Sequence, residues 1–325
     1  MTRRTTNLLN GLLLVAVALP SVMATRFLVT TCPEHADAAA PLPTVERLCA
    51  VGLEQPIVAV NILFFVNVCV LFWLISLAQR STWLIDPYWT IIPVLIGHFY
   101  AVHPAAGGTG VREGLALGLI WLWSLRLTHN YFRRERWRLG DREDWRFAQQ
   151  REESKHFWWY SFFYAYLSQQ LMLVGLTLPL WAVSFRPATL GWGDALCSAG
   201  ALAGIAIAYF ADNQLRRFMA ENERRKAHGE PKVLLLDTGL WKYSRHPNYF
   251  GEQLFWWSLA GFGVVVGEPW VVAGTVINSI VLAVVTVMVE RRMLAVDGRR
   301  AIYEDYIART SVLLPWPPKP TAMAE

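Results

Sequence analysis

The sequence predicts an all-α, polytopic transmembrane bundle with seven or eight spanning helices and both termini on the cytosolic side. Three observations support this prediction. Long apolar runs recur along the whole chain of 325 residues, of which 54% are hydrophobic. Only 17% of the residues are charged, whereas roughly a quarter are charged in a typical soluble domain. The basic residues, which give a net charge of +5, cluster in the segments between apolar runs.

A helix that crosses a bilayer needs about 20 mostly apolar residues. Eight segments meet or approach this length: 8–29, 56–78, 83–103, 113–131, 157–184, 193–212, 253–266 and 269–289. Gly267-Glu268-Pro269 separates the last two segments, which are interpreted either as a helical hairpin or as one broken element. The first segment is expected to be a signal anchor or a true span. A cleaved signal peptide is the alternative, because Arg3 and Arg4 precede its apolar core.

The distribution of Lys and Arg predicts the orientation. With the N-terminus inside, the inside segments hold 25 of the 30 basic residues and the outside segments hold four, namely Arg26, Arg47, Arg112 and Arg186. Basic residues accumulate on the cytosolic side of membrane proteins. The same clustering therefore argues against a nucleic-acid partner. Cys32 and Cys49 then lie in an outside loop, where a disulfide is permitted but not required. Residues 1–55 are predicted to form an N-terminal span with this loop, and residues 56–325 the main membrane domain.

An Arg-rich inside segment runs from Thr128 to Tyr160. Arginine is favoured where paired donors must hold a phosphate, so Arg133, Arg134 and Arg146 are candidate phosphate ligands. The alternative interpretation is a positive-inside loop that contacts anionic lipid. Metal binding is not predicted, since the four cysteines show no C-x-x-C spacing.

Two later segments combine polar side chains with the ends of apolar helices. Asp212 ends the sixth apolar run, where a carboxylate suits hydrogen bonding to a ribose or an amide. The stretch TGLWKYSRHPNYFGE follows and carries the candidate residues Lys242, Tyr243, Arg245, His246, Asn248, Tyr249 and Glu252. Pro247 fits the start of a helix, and Gly251 allows a close approach. The spacing of four places Asn248 and Glu252 on one helix face. A basic interfacial loop with a capped helix is the alternative.

The C-terminal segment from Val289 to Trp316 adds Tyr303, Tyr306 and Arg309 as candidates, with an amphipathic interfacial helix as the alternative interpretation. Ionisable residues within or beside spans, such as Asp86, are functional hypotheses by default because their burial in lipid is costly.

TGLWKYSRHPNYFGE resembles the signature of the steroid 5α-reductase C-terminal family, in particular its poorly characterised branch in bacteria and plants. Further similar stretches follow in the same order: DPYW at Asp86–Trp89, SLRLTHNYFRRERW, EDWRF, ADNQL at Ala211–Leu215, and the tail from Glu290 to Trp316. The resemblance covers about residues 60 to 316.

The resemblance implies an NADPH-dependent membrane oxidoreductase. Such an enzyme adds hydride to a C=C bond conjugated to a carbonyl, in a steroid-like or other apolar lipid substrate. Asn248 and Glu252 match the family's cofactor-site Asn and Glu, and Asp212 matches its cofactor-binding Asp. The Arg-rich and C-terminal segments resemble the regions that hold the nucleotide phosphates. We assign Asp86 or Tyr88, by position, to polarising the substrate carbonyl.

Three departures bear on the substrate. The early spans lack the Gln-Glu pair of the characterised steroid enzymes, Trp123 occupies the position aligned with their catalytic Tyr, and Ala208 stands where the family has a cofactor-binding Asn.

Two other functions stay open. The R-H-P-x-Y-x-G core also resembles that of the isoprenylcysteine and phospholipid methyltransferases, which use S-adenosylmethionine. A non-enzymatic lipid-binding membrane protein is the second alternative. The predicted location is the endoplasmic reticulum membrane in a eukaryote and the plasma membrane in a bacterium.

Overall fold

The computed structural model describes residues 3–320, and every regular element in that range is helical. The N-terminal part comprises α1 (Arg3–Ala16), α2 (Leu19–Thr30), α3 (Cys32–His35) and α4 (Val45–Glu54). The central part comprises α5 (Pro56–Phe64), α6 (Phe72–Gln79), α7 (Ile85–Ala101), α8 (Val111–Arg134), α9 (Trp145–Glu153), α10 (Phe157–Ser161) and α11 (Ser168–Phe185). The C-terminal part comprises α12 (Trp192–Ala227), α13 (Pro247–Val265), α14 (Val272–Leu294) and α15 (Arg300–Arg309).

Within residues 3–320, five helical stretches are long and apolar enough to cross a membrane: Arg4–Thr30, Pro56–Gln79, Phe157–Phe185, Trp192–Ala227 and Pro269–Leu294. Much of their apolar surface is uncovered by protein; Leu12, Val66 and Ile280 are 58%, 57% and 60% exposed. Surface of this kind requires an apolar solvent, which the lipid supplies. The chain is therefore an integral membrane protein, while the count of seven or eight spans and the cytosolic location of the termini stay predictions.

Two helices extend beyond the apolar segments predicted for them. The seventh apolar segment begins at residue 253, whereas α13 begins at Pro247, which confirms the helix start predicted at this proline. The sixth was predicted to end at residue 212, but α12 continues as a polar helix to Ala227. Hydropathy detects the lipid-facing part of a helix and misses a polar extension. The seventh and eighth segments are two separate helices, because the chain turns at Gly267, whose φ of +86° suits glycine.

The described chain divides into two compact units. The first ends at Asp194 and also includes Ala260–Gly274, whereas the second comprises Ala195–Leu259 and continues from Thr275. The domain boundary predicted at residue 55 is a different division and stays a prediction.

In the first unit, α7 packs against α8 and α11. A Cβ added to Gly97 of α7 would lie 3.0 Å from side-chain atoms of both Leu117 and Leu180. The helix axes can approach closely here because glycine has no side chain. The aromatic side chains of Tyr88 and Tyr100 on α7 are also fully buried.

A buried ion pair and a disulfide tie loops of the first unit together. The Arg112 guanidinium donates to both carboxylate oxygens of Asp194, at 2.6 and 2.9 Å, and to the carbonyls of Ala188 and Thr189. Arg112 is thus bonded to the loop that leads into α12. Cys32 and Cys49 form a disulfide that joins α3 to α4, which answers the question that the sequence left open.

In the second unit, α12 and α13 approach each other backbone to backbone. A Cβ on Gly251 would lie 2.6 Å from the Gly204 carbonyl and from the Ala208 nitrogen, and a Cβ on Gly200 would lie 2.4 Å from the Ser258 hydroxyl. Gly200, Gly204 and Ala208 follow at intervals of four, so they form one small-residue face of α12. This contact confirms the close approach predicted at Gly251.

Candidate functional site

The second unit brings Asp212 and Asn248 together. Asp212 continues the small-residue face of α12, four residues after Ala208, and Asn248 lies in the first turn of α13. The Asn248 side-chain nitrogen donates to the Asp212 carboxylate at 3.2 Å. The Asn248 side-chain oxygen is buried and has no hydrogen-bond partner in the structure. An unpartnered buried amide oxygen is costly, so this atom is a good acceptor for an N–H group of a ligand.

Glu252 lies one helical turn after Asn248 on α13 and is half-buried. The predicted placement of the two residues on one helix face is confirmed, since both belong to the continuous helix α13. The Asn248 amide and the Glu252 carboxylate thus lie on one face near the start of α13, and the Asp212 carboxylate of α12 contacts this Asn248 amide. Their chemistry suits a ligand rich in hydroxyl and amide donors.

The loop before α13 is fastened to α12. The Gln214 side-chain oxygen accepts a hydrogen bond from the Leu240 N–H at 2.9 Å, and the Trp241 indole donates to the Ala211 carbonyl at 3.2 Å. Gly239, with φ of +63°, lies directly against the Gln214 amide. Gln214 therefore positions the loop.

Arg245 and His246 both contact Glu290, at the end of α14. The Arg245 Nε donates to Glu290 Oε1 at 2.8 Å, and His246 Nε2 lies 3.1 Å from the same oxygen. Arg245 also donates to the Thr310 carbonyl at 2.6 Å. These contacts give Arg245 and His246 a role in orienting the start of α13. The His246 ring in turn stacks on Tyr249, with centroids 5.2 Å apart.

Residues 300–319, here called the C-terminal clasp, hold the same loop from another direction. The Tyr306 hydroxyl donates to the carbonyls of Trp241 and Ser244. The Ser244 hydroxyl donates to the Leu313 carbonyl at 2.8 Å, and the Trp316 N–H donates to the Tyr243 carbonyl at 2.9 Å. The clasp therefore determines the position of the loop that precedes Asn248.

The remaining candidates of the second unit differ in exposure. Lys242 and Tyr243 are exposed and form a cation-π pair at 6.0 Å. Arg309 donates to Asp237 at 2.7 Å, which raises the pKa of its guanidinium. Tyr303 is buried, and burial raises the pKa of its hydroxyl to about 12. Lys242 and Tyr243 are thus accessible to a ligand, whereas Tyr303 serves as packing.

In the first unit, Asp86 lies within an array of charges from the Arg-rich segment. It accepts a hydrogen bond from the Asp144 backbone, and Arg134 and Arg146 are close enough to act on it electrostatically. Arg146 donates to both carboxylate oxygens of Asp144, at 2.9 and 2.7 Å. Burial favours a higher pKa for the Asp144 carboxyl, but the Arg146 hydrogen bonds outweigh burial and lower it.

The other first-unit candidates have partners of their own. Arg134 pairs with Glu135 at 2.9 Å and is 65% exposed, while Arg133 donates to Asn130 at 3.0 Å. The buried Tyr88 hydroxyl donates to the Leu14 carbonyl at 2.8 Å. Tyr88 and Asp86 are two residues apart on α7 and so point in different directions. The carbonyl-polarising roles assigned to Asp86 and Tyr88 stay predictions.

Two structural features beside the candidate site were not predicted from the sequence. Glu290 partners both Arg245 and His246. Its separation of 45 residues from Arg245 left no local signal. Arg216 and Arg217 are exposed on α12, one turn after Asp212. Their spacing of four and five residues from Asp212 places them one turn further along the same helix, but the apolar segment predicted for α12 ends at residue 212.

Comparison with known proteins gives a match to the family described as protein of unknown function (DUF1295), over residues 72–310. This match covers more than two thirds of the chain. The chain belongs to this family. The matched region contains α7, the Arg-rich segment, Asp212 and the whole loop before α13.

Among curated proteins, an uncharacterised protein of Schizosaccharomyces pombe is 26% identical over 213 residues, which are 60% of this chain and 61% of that protein. The aligned region is less than two thirds of the length of that protein. No solved structure matches.

Proposed function

We propose that this DUF1295 protein is a membrane-embedded, NADPH-dependent reductase of a C=C bond conjugated to a carbonyl in an apolar lipid. The observation that supports it best is the pair formed by Asn248 and Asp212, with the buried, unpartnered side-chain oxygen of Asn248 beside it. The steroid 5α-reductase-like motif around these residues supplies the chemical interpretation.

The residues of the second unit fit the polar parts of a dinucleotide. The Asn248 oxygen is a ready acceptor for a carboxamide N–H, and the carboxylates of Asp212 and Glu252 can accept from amide or ribose donors. The exposed Lys242 and Arg216 provide cations for phosphate, and arginine favours paired contacts with phosphate oxygens. NADPH would supply the hydride; with one proton, the double bond becomes saturated and NADP⁺ remains.

The protein's own contribution is orientation. Gln214, Glu290 and the C-terminal clasp hold the loop, and the backbone contact between Gly204 and Gly251 fixes the spacing of α12 and α13. Asn248 thereby stays in one orientation, with its nitrogen directed to Asp212. Preorganised polar groups act without further reorganisation when a ligand binds.

The Glu290 contacts of Arg245 and His246 are compatible with both the reductase and the methyltransferase. These residues belong to the R-H-P core that both families share, and here both bind Glu290. They do not discriminate between the two functions. The residues that favour the reductase are Asp212 and Glu252, which the methyltransferase resemblance does not include.

Cofactor binding by purified protein in detergent tests the proposal. Thermal unfolding is followed with NADPH, NADH or S-adenosylmethionine, for wild type, Asn248→Ala and Glu252→Gln. The control Glu304→Gln removes an exposed carboxylate of α15. A ligand at a hundred times its dissociation constant stabilises the folded state by about 2.7 kcal/mol.

We expect NADPH to stabilise wild type and Glu304→Gln, NADH to act more weakly, and both site variants to lose the response. Stabilisation by S-adenosylmethionine in place of NADPH would replace the proposal with the methyltransferase. A response that is the same in all four proteins would show that the nucleotide binds elsewhere.

A further inference from the structure

The first unit contains a cavity of about 290 Å³ between α2 and α7. It lies near the C-terminal end of each of these two helices. Its walls are mainly apolar, and Phe64 of α5 closes one side. The lining side chains of Val22 and Val102 are 50% and 48% exposed, so the cavity is open toward the surface that faces lipid.

The polar lining residues other than Arg26 and His98 have partners of their own; the Ser21 hydroxyl accepts a hydrogen bond from the Asn67 side chain at 2.6 Å. Thr25 and Thr30 line the cavity, and their hydroxyls donate to carbonyls of their own helix, at 2.8 and 2.9 Å. The exposed lining residue Arg26 adds a positive charge. A single cation at an apolar, lipid-facing cavity complements an anionic group attached to a hydrocarbon chain.

His98 adds one hydrogen-bond donor. The Trp121 indole nitrogen lies 2.8 Å from His98 Nε2. An indole N–H only donates, so Nε2 is the acceptor and carries no proton. The neutral ring therefore has its N–H at Nδ1. A lining residue with this tautomer suits a ligand oxygen such as an ester carbonyl.

The cavity is separate from the candidate catalytic residues of α7. Asp86 and His98 are twelve residues apart on α7, which corresponds to about 18 Å along the helix axis. A ligand group bound at His98 is therefore too far from Asp86 to react there. The volume is near the lower end of the range of about 300–1,000 Å³ for small-molecule sites, which suits one hydrocarbon chain.

We propose that this cavity binds a glycerophospholipid, with one acyl chain inside, the phosphate at Arg26 and an ester carbonyl at His98. On the predicted orientation, this lipid belongs to the outer leaflet. The site is independent of the proposed reductase activity.

Native mass spectrometry of delipidated protein tests the proposal with three added lipids of identical chains: phosphatidylglycerol, phosphatidylcholine and diacylglycerol. The variants are Arg26→Gln, which removes the charge, and Val22→Trp, which fills the open side of the cavity. Arg47→Gln is the matched control, because it removes another basic residue on the same predicted side, outside the cavity. Each dissociation constant is compared with that of wild type.

We expect phosphatidylglycerol to bind wild type about fivefold more tightly than diacylglycerol, as one cation near a phosphate implies. Arg26→Gln should abolish this difference in affinity, and Val22→Trp should weaken the binding of all three lipids. Arg47→Gln should leave both the affinities and the preference for phosphatidylglycerol as in wild type. Lipid binding that is unaffected by both cavity variants would overturn the proposal. So would an equal loss in Arg47→Gln and Arg26→Gln.

Discussion

Arg245 and Glu290 form a two-point ion pair across 45 residues of sequence, with Nε–Oε1 and Nη2–Oε2 distances of 2.8 and 3.3 Å. Their side chains are only 10% and 17% exposed. The pair joins the loop before α13 to the end of α14. His246 shares the same carboxylate, so one acidic residue organises the approach to Asn248.

Removal of this shared carboxylate should destabilise the second unit. We expect Glu290→Ala to lower the free energy of unfolding by about 3 kcal/mol, because it leaves a poorly solvated guanidinium without its counterion. Thermal unfolding in detergent measures the effect. The control is Glu221→Ala, which removes a carboxylate whose partners Arg224 and Arg225 are 47% and 32% exposed; this change should leave the unfolding midpoint nearly unchanged. Equal shifts in the two variants would contradict the expectation.

Arg112 provides a second case in which charge and geometry both matter. Its guanidinium is essentially inaccessible and makes four hydrogen bonds, two of them to Asp194. Lysine cannot reproduce this fork. We expect Arg112→Lys to lower the free energy of unfolding by about 2 kcal/mol, because at least one buried acceptor is left without a donor. Arg186→Lys, at an ion pair where Arg186 is 51% exposed, should shift the thermal midpoint far less. An unchanged free energy of unfolding in Arg112→Lys would contradict this expectation.

The backbone contact between α12 and α13 predicts a glycine effect on ligand binding. We expect Gly251→Ala to weaken NADPH binding at least tenfold, because its Cβ would meet Gly204 and Ala208 atoms at 2.6 Å and force the helices apart. Gly118→Ala is the control, since nothing lies within 4 Å of its added Cβ. That change should leave binding intact and slightly favour helix α8. The NADPH dissociation constants of both variants are measured by titration; equal constants would contradict the prediction.

The Asp144–Arg146 pair should make stability depend on acid pH. The pKa of Asp144 is lowered in the folded state, so its contribution is present above the ordinary value of about 3.9 and is lost as pH falls below it. Asp144 also caps α9, and Asn caps a helix equally well. We expect Asp144→Asn to cost about 1.5 kcal/mol at pH 7, and this cost to shrink as pH falls from about 3.9 through the lowered pKa of Asp144. Thermal midpoints of both proteins between about pH 7 and pH 3 provide the measurement; a gap of the same size at both ends of this range would rule the ion pair out as the cause.

Hydropathy was sufficient to predict where most helices lie. The segments predicted at 56–78 and 157–184 correspond to Pro56–Gln79 and Phe157–Phe185. The start of α13 escaped this signal, because Asn248 and Glu252 made a helical turn resemble a polar loop. Pro247 and the spacing of four were the only indications that this stretch is helical.

The partners within the candidate site could not be predicted, because they are distant in sequence. Neither the bond from Tyr306 to Trp241 nor the binding of two residues by Glu290 leaves a local pattern. The departure noted at Ala208 does have a structural explanation. Ala208 is fully buried, and its backbone nitrogen lies 2.6 Å from the Cβ position of Gly251, so the residue serves helix packing.

The contact of Gly204 with Gly251 has an evolutionary consequence. Because main chains touch there, the separation of Asp212 from Asn248 does not depend on the bulk of neighbouring side chains. Exposed apolar residues of α12, such as Phe210, can therefore diverge to suit membranes of different composition without altering that separation. Adaptation to a new host membrane and retention of the polar cluster are thereby separable.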